Sequence, residues 1–134
     1  MNSLGDPEAA PQAAHAQILV VEDEPLLRFA IAEALRDEGA CVIEAATADE
    51  AWRYLAGGEP VDLIFTDHRM PGSMTGAQLA SRVRRQYPSV EVVVTSGAFD
   101  GSEWTEPIKK KPYLLAKTAS ELMQLAMAKK GLRP

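Results

Sequence analysis

Asp67 stands two residues beyond the apolar run Leu63-Ile64-Phe65, and a Met-Pro-Gly break follows at once at 70–72. Three other runs also end in chemically useful groups. Ile18-Leu-Val-Val21 leads to Glu22 and Asp23, Val90 to Thr95 leads to Ser96, and Ile108-Lys-Lys leads to Lys111. Three carboxylates gathered in one place repel one another unless a cation sits among them. Oxygen donors at the mouth of a cleft suit Mg²⁺ better than a softer metal. Such an ion cancels the repulsion that would bar an anionic phosphoryl donor, and it polarises the oxygens being transferred. Asp67 is then the natural nucleophile, since carboxylates form aspartyl-phosphate intermediates. Lys111 and the Ser96 hydroxyl would hold the phosphoryl oxygens as charge develops on them. Taken singly, each group has a plainer role: Glu22 and Asp23 as acids at a helix N-terminus, Ser96 as a turn former, Lys111 as a solvated cation. Fold needs alone do not explain the ordered set.

For these groups to meet, the runs must be parallel strands of one sheet, with their C-terminal ends on one edge. The intervening segments allow it. Pro25 suits a first helical turn, Leu27, Ile31, Ala34 and Leu35 recur at helical spacing, and Gly39 closes that helix. A short second strand, Val42-Ile43, precedes Thr47-Ala-Asp-Glu50, whose spacing is that of a capping box opening a second helix through Trp52 and Leu55. A third helix is expected from about Gly76 to Gln86, with Leu79, Val83 and Tyr87 inward and Arg82, Arg84 and Arg85 on a solvated face. Thr118-Ala-Ser-Glu121 reads as the opening of a last helix with Leu122, Leu125 and Ala126 inward. Strand and helix thus alternate nearly five times. The expected fold is α/β: a flavodoxin-like, doubly wound, five-stranded parallel sheet of order 2-1-3-4-5, in which strands one and three meet at the switch point.

Composition sets the outer bounds. At 134 residues, 46% hydrophobic and 25% charged, the chain fits one globular domain. A net charge of −5 argues against direct nucleic-acid binding. The single cysteine, Cys41, excludes an internal disulfide framework and reads as a small core residue. No apolar stretch reaches membrane-spanning length and no secretory signal opens the chain, so a cytoplasmic protein is expected. Residues 1–16 read as a flexible tail in which His15 has no visible partner, 17–130 as the domain, and 131–134 as a C-terminal tail.

From about Gln17 to Ala128 the chain resembles the receiver domain of bacterial two-component response regulators, of the stand-alone, single-domain type. The resemblance rests on Ile18-Leu-Val-Val-Glu-Asp-Glu-Pro25, Thr66-Asp-His-Arg-Met-Pro-Gly72 with Gly76, Val94-Thr-Ser-Gly97, and Lys111-Pro-Tyr113. It implies phosphorylation of Asp67 by a phosphohistidine on a sensor histidine kinase or a histidine phosphotransfer protein. It also implies Mg²⁺ held by Asp23, Asp67 and the backbone carbonyl of Arg69, with Glu22 acting through water. Ser96 takes the switch hydroxyl position, with Thr95 its rival by a one-residue shift. Two departures stand out. Only fourteen residues separate Ser96 from Lys111, too few for the family's full fourth helix, so that helix is expected to be shortened or missing. Ile108 occupies a position three before the lysine that is often aromatic in the family, which puts the usual output coupling in question.

The leading expectation is therefore a phosphoacceptor that switches its binding to a downstream protein or serves as a phosphate sink or shuttle, with homodimerisation left open. A phosphorylation-independent interaction module of the same fold is the alternative. An Asp-dependent phosphatase is a third reading, but Arg69 occupies the place where its general-acid carboxylate would stand, and His68 is expected to point out of the pocket. Beyond self-directed phosphotransfer and autodephosphorylation, no enzymatic activity is expected.

Overall fold

A computed structural model describes residues 15–69, 71–96, 108–110 and 115–129. Its elements run β1 (Gln17–Val21), α1 (Pro25–Asp37), β2 (Cys41–Ala45), α2 (Ala48–Ala56), β3 (Leu63–Asp67), α3 (Gly76–Gln86), β4 (Glu91–Ser96), β5 (Ile108–Lys110) and α4 (Leu115–Lys129). The strands form one parallel sheet in the order β2-β1-β3-β4-β5, as the alternation of runs requires. The stretch in which a fourth family helix would fall, 97–107, lies outside the described residues, as does Lys111. No helix of the described residues is long and apolar enough to cross a membrane.

The central strands are buried on both faces because their side chains alternate between two cores. Leu19, Val21, Ile64, Val92 and Val94 pack with Ala48, Ala51, Leu55, Leu79 and Val83 from α2 and α3. Ile18, Val20, Leu63, Phe65 and Val93 pack on the other side with Ile31 and Leu35 of α1 and Ala119, Leu122 and Ala126 of α4. This is the continuous apolar reading of a doubly covered parallel sheet, with period-2 alternation deciding which core each side chain joins.

Several elements differ from the sequence expectation. β2 is five residues long rather than two, because pairing with β1 carries through Cys41, Glu44 and Ala45, residues of weak strand preference. α4 begins at Leu115, so Thr118 and Glu121 lie inside the helix; Thr118 is buried and opens nothing. A complete capping box forms instead at the start of α3: Thr75 accepts from the Gln78 amide while the Gln78 side chain accepts from the Thr75 amide. At α2, Thr47 accepts from the Glu50 amide as expected, but Glu50 reaches back to Ala46. Arg82 is not a solvated member of a basic face. Its guanidinium lies 4.3 Å from the Trp52 ring centroid, and Trp52 in turn meets Tyr87 edge-on at 5.7 Å. His15 is likewise partnered: its Nδ1 lies 3.4 Å from Cys41 Sγ, and the neighbouring Ala16 is fully buried.

Candidate functional site

The register sets the acids side by side. Val21 pairs with Thr66 of β3 and with Ala45 of β2, so the residue just past the end of β1 and the last residue of β3 stand at the same level. Those residues are Glu22 and Asp67. Glu22, Asp23 and Asp67 each offer a carboxylate oxygen, and the three oxygens lie within 4.8 Å of one another. Glu22 and Asp67 are buried and Asp23 is exposed, so the cluster is a recess open on one side. Two buried carboxylates and a third at the rim are costly unless a cation compensates them. The donor set is all oxygen, which fits a hard divalent ion.

Local structure holds each acid in place. The Glu22 amide donates to Ala45 O at 3.0 Å, its Oε2 accepts from the Glu24 amide at 3.1 Å, and its own carbonyl accepts from Arg28 Nη1 at 2.9 Å. Beyond Asp67, the His68 amide donates to Thr95 O at 2.8 Å and the His68 carbonyl accepts from the Gly76 amide at 2.9 Å. The Thr66 hydroxyl donates to the Asp67 carbonyl at 2.9 Å. The first turn of α3 therefore rests directly on the backbone of the central acid. A Cβ at Gly76 would sit 2.0 Å from Asp67 O, which is why this position is glycine.

The other expected residues are placed unequally. Asp67 pairs with Thr95 in the register, and Thr95 is buried. Ser96 is the last residue of β4, one step beyond that pair, with its backbone against Lys110 of β5. Arg69 is at the surface, two residues past Asp67. His68 is half-buried, with its Nδ1 shielded from solvent.

A second anchor of the β3–α3 loop was not foreseen. Asp49, in the first turn of α2, accepts from Ser73 Oγ at 2.6 Å and from the Ser73 amide at 2.9 Å. The hydroxyl bond first, then the amide bond, hold the Asp49 carboxyl below its ordinary value of 3.8, with smaller help from the Arg53 and Arg82 charges. A carboxyl depressed on folding stabilises above its unfolded value and loses that contribution as pH falls through the folded one. Wild type is thus expected to resist urea better than Asp49→Asn at neutral pH, with the gap closing as pH drops below about 3.8. Urea midpoints across that range check it; a gap constant with pH contradicts it.

Fold and site together define a class: a doubly wound α/β receiver with a recess of acids at the strand tips. A receiver protein from Sinorhizobium medicae matches the fold with a TM-score of 0.78 at 27% identity, covering 86% of this chain and 97% of that one. The receiver domain of the hybrid histidine kinase CckA matches with a TM-score of 0.70 at 30% identity, covering 83% and 99%. In sequence, the sensor kinase CckA of Brucella abortus is 35% identical over 93% of this chain and 13% of its own length. HoxA, a hydrogenase transcriptional regulatory protein of Cupriavidus necator, is 39% identical over 66% of this chain and 18% of its own length. The chain spans less than a fifth of either curated relative. The family model of the response regulator receiver domain matches residues 18–121, and the chain belongs to that family. Its function is phosphorelay signal transduction.

Proposed function

We propose that Asp67 is the phosphoacceptor. One carboxylate oxygen of Asp67 attacks phosphorus, the P–N bond of a phosphohistidine breaks, and the donor imidazole leaves with its electron pair and takes up a proton. The donor is a sensor histidine kinase or a histidine phosphotransfer protein. Lys111 and the hydroxyl of Ser96 receive the phosphoryl oxygens, with Thr95 the rival for the hydroxyl. Asp23, Asp67 and the Arg69 carbonyl would hold Mg²⁺ directly and Glu22 through water; the ion supplies charge neutralisation at the oxygens being transferred. Glu22, nearly fully buried, fixes the level of the recess, and exposed Asp23 leaves it open to an incoming donor. Water later cleaves the acyl phosphate, which resets the domain. The output is altered binding to a downstream protein in the cytoplasm, or transit of the phosphoryl group through a relay.

The observation that carries this reading is the convergence of three carboxylate oxygens within 4.8 Å at the tips of β1 and β3. Intact mass after incubation with a small acyl phosphate tests it. With Mg²⁺, the chain is expected to gain one phosphoryl group; with a chelator in place of Mg²⁺, the gain should fall by an order of magnitude or more. No gain under either condition would leave a phosphorylation-independent interaction module.

A further inference from the structure

We propose that Arg28 is a positioning residue for the acid loop: its guanidinium ties the backbone of Glu22 to the edge strand β2 and so sets the geometry in which the recess takes a divalent cation. The proposal rests on the metal-site reading above and goes beyond it. Arg28 lies in the second turn of α1, outside the acid cluster. Its Nη1 donates to the Glu22 carbonyl at 2.9 Å, and its Nε meets Glu44 Oε1 at 3.3 Å. Glu44 is itself fixed from the far side. Its Oε2 takes Arg36 Nη2 at 3.3 Å, and Arg36 is held by Glu33 Oε2 at 2.6 Å and by the Val42 carbonyl at 3.1 Å. The chain Glu33–Arg36–Glu44–Arg28 thus ends on the carbonyl of a residue whose carboxylate belongs to the cluster.

The fork of a guanidinium is what makes this possible. Two of its nitrogens point to two acceptors at once in a fixed plane, whereas an ammonium is a single rotatable point. The stability contributed by such a pair is small, because both partners keep contact with water: Arg28 is 21% exposed and Glu44 27%. Its larger effect is on position. Removing Arg28 takes the guanidinium bond from the Glu22 carbonyl and loosens the Glu22–Asp23 peptide, which carries two of the three carboxylates. Outer contacts that orient ligand groups in this way typically change metal affinity by ~10–100-fold when removed.

Mn²⁺ serves as probe, since it is a hard, oxygen-seeking ion with an electron spin resonance signal that reports free metal. Titrations of the full chain would compare wild type with Arg28→Ala, Arg28→Lys, Glu44→Gln and the double variant Arg28→Ala/Glu44→Gln, each with its urea midpoint. The expected result is binding by wild type and an affinity about tenfold weaker in Arg28→Ala with little change in midpoint. Arg28→Lys should recover only part of the loss. Glu44→Gln should weaken binding less than Arg28→Ala and add nothing to it in the double variant, because the two act through one contact. Wild-type affinity in Arg28→Ala overturns the proposal, as does full recovery by Arg28→Lys, which would reduce the effect to charge. A loss of affinity that tracks loss of folding also overturns it. Absence of Mn²⁺ binding in wild type defeats the metal-site reading itself, and this proposal with it; the two failures are distinguishable in one titration.

Discussion

Asp67→Asn is expected to abolish phosphoryl uptake while making the protein more stable in the absence of divalent metal. The two effects have opposite signs because they come from the same charge. Asp67 is the proposed nucleophile, and an amide oxygen in its place forms no acyl phosphate under these conditions, so the mass gain seen with wild type disappears. The same side chain sits with Glu22 and Asp23 in a cluster whose oxygens lie within 4.8 Å of one another. Carboxylates about 5 Å apart repel by roughly 1–3 kcal/mol at effective dielectrics between those of protein and water. Asn keeps the shape and removes the repulsion, so the melting midpoint measured with chelator present should rise by about 5 °C. Adding Mg²⁺ should lift wild type and leave the variant almost unmoved, because a ligand stabilises only the state that binds it. Thermal melts with and without Mg²⁺, beside intact masses after treatment with an acyl phosphate, read both effects. A variant that still gains a phosphoryl group shows another acceptor; one that is less stable than wild type in chelator shows that Asp67 is held by its hydrogen bonds more than it is strained by its neighbours.

The elements that carry the site could be read from the chain because their signals are local. A dense apolar run marks each doubly buried strand, and the acids that follow β1 and β3 are adjacent in space once the strands are neighbours in the sheet. That adjacency follows from topology, which the alternation of strands and helices dictates. Arg28 gave no such signal: it is one of several charged residues on a helix, and its partners are a backbone carbonyl and a glutamate on a strand whose length was underestimated. Glu44 belongs to β2 through pairing with β1, a tertiary effect that overrides its own preference. The Asp49–Ser73 contact joins the first turn of α2 to a loop residue 24 positions away, so spacing could not show it. The capping box at Thr75 and Gln78 was legible in principle, since Thr-x-x-Gln is its spacing, but the glycines around it read as loop. Arg82 shows the reverse limit: helical periodicity set it among outward-facing residues, while the ring of Trp52 on the neighbouring helix drew it inward.

Gly76→Ala tests whether the packing of α3 against the acceptor is as tight as the backbone indicates. The substituted Cβ would lie 2.0 Å from the Asp67 carbonyl oxygen, 2.9 Å from its carbonyl carbon and 3.0 Å from the His68 Cα. These are all main-chain atoms, so no side chain can swing aside to make room. Either α3 lifts, breaking the 2.9 Å bond from the Gly76 amide to the His68 carbonyl, or the end of β3 shifts and takes Asp67 with it. Overpacking against side chains typically costs about 1–3 kcal/mol, and a backbone obstacle belongs at or above the top of that range. The expected result is a loss of roughly 3 kcal/mol or more in urea unfolding, with phosphoryl uptake lost even in the molecules that remain folded. Gly72→Ala provides the contrast. Gly72 has φ +117°, and its Cβ would meet Asp49 Oδ2 at 2.5 Å, so this variant suffers strain and disturbs the bonds to Ser73. The obstacle there is the end of the Asp49 side chain, and Gly72 stands four residues before Gly76, away from the Asp67 peptide. Gly72→Ala should therefore lose stability yet still accept a phosphoryl group, whereas Gly76→Ala should lose both. Urea midpoints and intact masses for the pair decide it: a Gly76→Ala protein as stable and as readily phosphorylated as wild type would show that α3 does not brace the acceptor strand.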